Sequence, residues 1–94
     1  MKKLAFPSSE EAEIIALRAL AFLANDAERL SRFMALCGVS PAELRAAATD
    51  RQFLAGILTH LLQDESLLLT FTVDEDLDPR LPAMAAEILT RSEN

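Results

Sequence analysis

The 94-residue sequence has no tryptophan, no tyrosine, one cysteine, one histidine and two glycines. A single cysteine excludes an internal disulfide. With Gly38 and Gly56 alone, no glycine-rich phosphate cradle can form, and neither a Gly-x-Ser-x-Gly turn nor a His-Glu-x-x-His helix is present. Basic residues are also scarce. Nine Lys and Arg face fifteen Asp and Glu, for a net charge of −6. The deficit is uneven: residues 1–50 carry six basic and seven acidic side chains, whereas residues 51–94 carry three and eight. Binding to a phosphate backbone draws on clustered Lys and Arg, so such a surface disfavours nucleic acid. Long apolar runs are missing too. Leu67 to Val73 is far too short to span a bilayer. Lys2 and Lys3 are followed by Pro7-Ser8-Ser9-Glu10-Glu11, which leaves no room for the apolar centre of a signal peptide, and a cytoplasmic location is expected.

What is abundant is apolar surface. Hydrophobic residues make up 51% of the chain. That is enough to offset the entropy of ordering, so the chain folds. A domain of this size buries roughly 60–65% of the surface its unfolded chain exposes. Some of the surplus is therefore expected to form an apolar patch for a partner.

The apolar spacing is helical almost throughout. A first helix is expected from Ser8, with Glu11 as the second half of its capping box, to about Ala24. Ala12, Ile15, Ala16, Ala19, Phe22 and Leu23 form its inner stripe. Ile14, Leu17 and Ala21 lie outside that stripe, and a helix apolar nearly all round is either central or docked on another chain. Asn25, with Glu28 three residues on, opens a second helix whose inner face is Ala27, Leu30, Phe33, Met34 and Cys37. Gly38 ends it in the left-handed conformation. Ser40-Pro41-Ala42-Glu43 starts a short third helix, to about Ala48, with Leu44 as its anchor. Thr49 to Gln52 reads as another box, followed by a buried face of Phe53, Leu54, Ile57, Leu58, Leu61 and Leu62. Asp64 and Glu65 break that helix and begin a fifth. Residues 67–73 alternate like a strand, but no second strand exists to pair with them, and a buried helix is expected. Asp74-Glu75-Asp76 reads as an acidic loop. A last helix opens near Asp78-Pro79 or Leu81-Pro82, with Leu81, Met84, Ala85, Ile88 and Leu89 inward.

Four clusters have chemistry to weigh. The joint at Gly38 has the phrasing of a helix-turn-helix DNA reader, yet Met34 stands where a small residue usually sits. Arg45 is the one base-reading side chain of the would-be recognition helix, and Arg29, Arg32 and Arg51 are scattered. A plain helical corner needs the same residues. His60 and Asp64 share a helix face, and with Glu65 they suggest two metal ligands or a base and its orienting acid. A structural zinc site wants four ligands, and a half-buried, hydrogen-bonded histidine near a helix C-terminus explains His60 more simply. Cys37 precedes the helix-ending glycine, where a thiolate is disfavoured, and reads as a small buried hydrophobe. Asp74, Glu75, Asp76 and Asp78 lack the glycine and closing Glu of a calcium loop, and read as a solvated turn or a charged docking rim.

Two blocks carry a resemblance. One is Leu30 to Pro41, with Leu44-Arg45; the other is Phe53-Leu54-Ala55, then His60 to Leu69 and Phe71. From Ala12 to about Leu77 the chain resembles domain of unknown function 3572, small alphaproteobacterial helical proteins. The resemblance implies a cytosolic bacterial protein of this size and carries no assigned activity, cofactor or catalytic residue.

The expectation is an all-α, compact single-domain bundle of five to six short helices, with a corner at Gly38–Pro41. The first, fourth and fifth helices lie at its centre, residues 1–7 form a loose tail and residues 91–94 fray. The favoured function is a non-enzymatic interaction or regulatory module, without catalytic residue, cofactor or metal. It binds a protein partner or itself through Ile14, Leu17 and Ala21, steered by Asp74, Glu75, Asp76 and Asp78. The alternative is DNA binding through Arg32 and Arg45; the third is a small metal-binding protein using His60, Asp64 and Glu65.

Overall fold

In the computed structural model, which describes residues 4–91, the chain forms six helices: α1 (Ser9–Ala24), α2 (Ala27–Cys37), α3 (Pro41–Ala47), α4 (Arg51–Leu62), α5 (Glu65–Asp74) and α6 (Leu81–Thr90). No strand occurs among the described residues. The expected loose tail and fraying fall partly outside that range. Within it, Pro7 is buried, and the Arg91 guanidinium lies 5.9 Å from the centre of the Phe6 ring.

Helix ends follow the local chemistry, with two one-residue shifts. Ser8 caps α1 by accepting from the Glu11 N–H at 3.0 Å, and the Glu11 carboxylate accepts from the Ser8 N–H at 2.8 Å. Each bond satisfies a donor that the first helical turn leaves open. The cap of α2 is Asp26, not Asn25: its carboxylate accepts from the N–H groups of Glu28 and Arg29, while Asn25 is the C-cap of α1 and its N–H donates back into that helix. Likewise Asp50, not Thr49, caps α4, accepting from the Gln52 N–H at 2.9 Å. The Thr49 hydroxyl instead donates to the Ala46 carbonyl and closes α3. In both cases a carboxylate outcompetes its neutral neighbour at the positive end of a helix. Gly38 has φ 74°, the left-handed region that costs a side-chain-bearing residue most, and its N–H bonds the Met34 carbonyl.

The centre of the bundle is α1, α4 and α6, which pack against one another. The expectation placed α5 there instead of α6. The reason for the difference is side-chain size. Ala12, Ala16 and Ala19 on α1, Ala55 on α4, and Ala85 and Ala86 on α6 are all buried, and small residues let helix axes approach closely. Helix α5 lies against α4 and reaches α1 through Phe71, whose ring centre is 5.4 Å from that of Phe22. Residues 67–73 are helical as expected, but the helix is not buried all round: Leu69 is 42% and Val73 77% exposed. Of the expected inner face of α2, Phe33 is buried and Leu30 and Met34 are half-buried, whereas Ala27 and Cys37 are exposed.

Phe71 is fully buried and is the main anchor of α5. Phe71→Ala is expected to cost about 3–5 kcal/mol in urea unfolding, because transfer and cavity terms add. A loss under about 1 kcal/mol would show that α5 does not depend on this contact.

Candidate functional site

The outer face of α1 lies opposite its buried stripe. Residues 14, 17 and 21 recur at helical spacing and point away from Ala12, Ala16 and Ala19. Ile14 is 52% and Leu17 43% exposed, and Ala21 is also exposed. Arg18, the residue after Leu17, is the hinge to the acidic turn. Its Nε donates to Glu75 Oε1 at 2.9 Å, and its Nη2 donates to the Glu75 backbone carbonyl at 2.9 Å, capping the end of α5. That fork holds the turn after α5 beside the apolar face of α1.

The four acids at this junction are not equivalent, and Asp74 is the last residue of α5, not part of the expected acidic loop. Glu75 is half-buried and committed to Arg18. Asp78 accepts from Arg80 Nε at 3.0 Å, Arg80 Nη2 at 2.8 Å and the Arg80 N–H at 2.9 Å. Those bonds hold its carboxyl at about 2. Asp74 and Asp76 are exposed and carry no ion pair among the described residues. Asp76 turns the chain with φ 56°, a conformation aspartate tolerates better than most residues.

The His60 cluster lies elsewhere, where α2, α4 and α5 meet. The His60 ring is half-buried and near-perpendicular to Phe33, with centres 5.1 Å apart. Contrary to expectation, it makes no hydrogen bond among the described residues. Burial is the main influence on it and holds its pKa below the usual imidazole range; Arg32 acts in the same direction, and Asp64 opposes both. Asp64 caps α5 by accepting from the Leu67 N–H, and Glu65 is exposed in the first turn. Among the described residues no three His, Cys, Asp or Glu side chains converge on a point that could hold a metal ion.

Arg32 on α2 and Arg45 on α3 are exposed, and they are the arginines without an ion pair among the described residues. Helix α3 buries no side chain, so the would-be recognition helix has no deep anchor. Glu43 accepts from the Ser40 N–H at 3.0 Å and hydroxyl at 3.1 Å, which lowers its pKa and fixes the corner electrostatically. Cys37 is exposed, not buried as expected: only Phe33 on α2 faces fully inward, and the last turn of the helix runs out over a groove. That groove, of about 780 Å³, lies between α2, α4 and the end of α6. Sequence reasoning missed it. Its signals were Leu36, apolar yet off the expected inner face, and Gly56, an unforced glycine inside a helix.

A family model described as a protein of unknown function matches residues 9–92, from the first residue of α1 to just past the end of α6. The chain belongs to the DUF3572 family. No curated protein and no solved structure matches it. The DUF3572 match extends beyond the blocks that suggested it, since it includes α6, the helix that completes the core. No helix among the described residues of this DUF3572 chain is long and apolar enough to cross a membrane.

His60 makes stability depend on pH in a defined direction. A histidine whose pKa is depressed on folding gives its full contribution above the unfolded value of 6.5, and loses it as pH falls through that value toward the folded one. Urea midpoints should therefore drop between pH 7.5 and 5.5, and drop less in His60→Gln. Equal drops in the two proteins would show that His60 is not the titrating group.

Proposed function

We propose that this chain is a non-enzymatic helical interaction module that docks a protein partner on the outer face of α1. The observation that carries the reading is the exposure of Ile14 and Leu17 on the side of α1 facing away from the core. The apolar area that these side chains leave exposed stabilises an interface once covered. The Arg18–Glu75 fork supports the reading, because it ties the acidic segment around Glu75 to the residue that follows Leu17. Two exposed acids beside an apolar stripe, on a chain of net charge −6, favour a partner whose docking surface carries Lys or Arg. Steering of this kind acts mainly on the association rate and weakens with salt.

The corner at Gly38 supports DNA binding less well, since Arg32 and Arg45 sit on different helices and α3 has no buried residue. A metal site draws no support from the lone His60.

Leu17→Glu separates the proposal from a structural role. Leu17 is 43% exposed, so the substitution should leave helicity and Tm nearly unchanged. Cross-linking in the native cytosol should capture a partner with the wild-type chain and lose it with Leu17→Glu. A partner retained at full yield would exclude this face, and loss of folding would show that Leu17 belongs to the core.

A further inference from the structure

The groove between α2 and α4 has a feature this chain's own packing does not require. Gly56 sits in the interior of α4, where glycine is less stable than almost any other residue. A Cβ placed there meets nothing within 4 Å, and its helical backbone does not need glycine. The missing side chain leaves open space on the groove lining, where Gly56 is exposed. On the rim of the same groove, Leu36 is 72% exposed, a large knob without a socket of its own. Phe33 and Leu89, each 2% exposed, form the apolar floor.

Charge decides what fits. The chain carries −6, so two copies repel over most of their surface. The groove is an exception: its charged lining is Asp50 and Arg51, which cancel. Both are already engaged, Asp50 as the cap of α4 and Arg51 with Glu13 at 3.0 Å and Ser9 at 3.2 Å. A basic partner gains nothing at such a neutral face, whereas a like-charged molecule meets least resistance there. We infer that this groove is a self-association face, in which Leu36 of each copy enters the other's groove over Gly56 around a two-fold axis. Reciprocal insertion closes the pair, so it yields a dimer and not a fibre. The face is smaller than the roughly 20–30 residues a side of a standard stable interface, and the dimer is correspondingly weak, with a Kd on the order of 10–100 μM. This surface is distinct from the α1 face proposed above and stands without it.

Sedimentation equilibrium of the full chain from about 5 to 500 μM tests the inference. The wild type should pass from monomer to dimer, and more tightly as salt screens the repulsion. Leu36→Gln should raise Kd at least about tenfold with Tm unchanged, since Leu36 is exposed. Gly56→Gln should raise Kd similarly while raising the Tm of the dilute monomer by roughly 2–5 °C, because a helix former replaces glycine. Alkylation of Cys37, in the groove wall, should slow as concentration rises. A chain that stays monomeric at 500 μM overturns the inference, as does a dimer indifferent to both groove variants. A Gly56→Gln monomer that melts lower would show that the fold itself needs the glycine, and would overturn it equally. A dimer broken by Leu17→Glu but not by the groove variants would place self-association on α1, sinking this inference while leaving the α1 face in use.

Discussion

The close approach of α1, α4 and α6 through buried alanines is the constraint on which this structure depends. Ala12, Ala16, Ala19, Ala55, Ala85 and Ala86 supply little apolar area each, but they bring the helices near enough for Ile57, Leu58, Leu61 and Leu89 to be enclosed completely or nearly so. Each such aliphatic contributes about 1.5–3 kcal/mol by leaving water. A core filled in this way has little room for further large residues. Ile14, Leu17, Leu36, Leu69 and Val73 are left on the outside, and a chain that is half hydrophobic presents apolar surface as a result of its own packing.

Around that core, the starts of α1 to α5 are fixed by carboxylates. Asp26, Asp50 and Asp64 each cap a helix, and Glu11 and Glu43 each bond back to the serine that precedes their helix. Much of the chain's negative charge is therefore structural. Cationic partners account for more of it: Glu13 meets Arg51, Glu75 meets Arg18 and Asp78 meets Arg80. Partly exposed pairs of this kind contribute at most about 1 kcal/mol each. Their larger effect is geometric, since the Arg18 fork decides where the turn after α5 lies. Asp74 and Asp76 are among the acids left over, and they flank Glu75 where Arg18 holds it.

The two faces offered for recognition differ in character. The face proposed on α1 is an exposed apolar stripe, and the proposal pairs it with a partner of opposite charge. The α2–α4 groove is concave and electrically neutral, suited to a surface like itself. One small domain can carry both because they lie on different helices, and a substitution on one should not disturb the other.

Much of the architecture was legible beforehand. All six helices follow from apolar spacing and capping residues, because both act within a turn or two of helix. The left-handed Gly38, the Ser8 box and the helical state of residues 67–73 are of this local kind. So was the exposure of Ile14, Leu17 and Ala21, which stand out by being apolar at positions where a helix of this pattern would be polar. The misplacements are also local in origin. Asn25 and Asp26, or Thr49 and Asp50, are adjacent capping residues that spacing alone does not separate, and the stronger acceptor took the helix end.

What only tertiary structure decided is which helices meet. Periodicity marks an apolar face without naming the face it will cover, so α5 and α6 were interchangeable until alanine on α6 admitted the closer contact. The same holds for the pairing of Arg18 with Glu75, the outward turn of Cys37 and the groove at Gly56. Each depends on residues far apart in sequence, and a chain specifies such neighbours only through the summed fit of a packed interior.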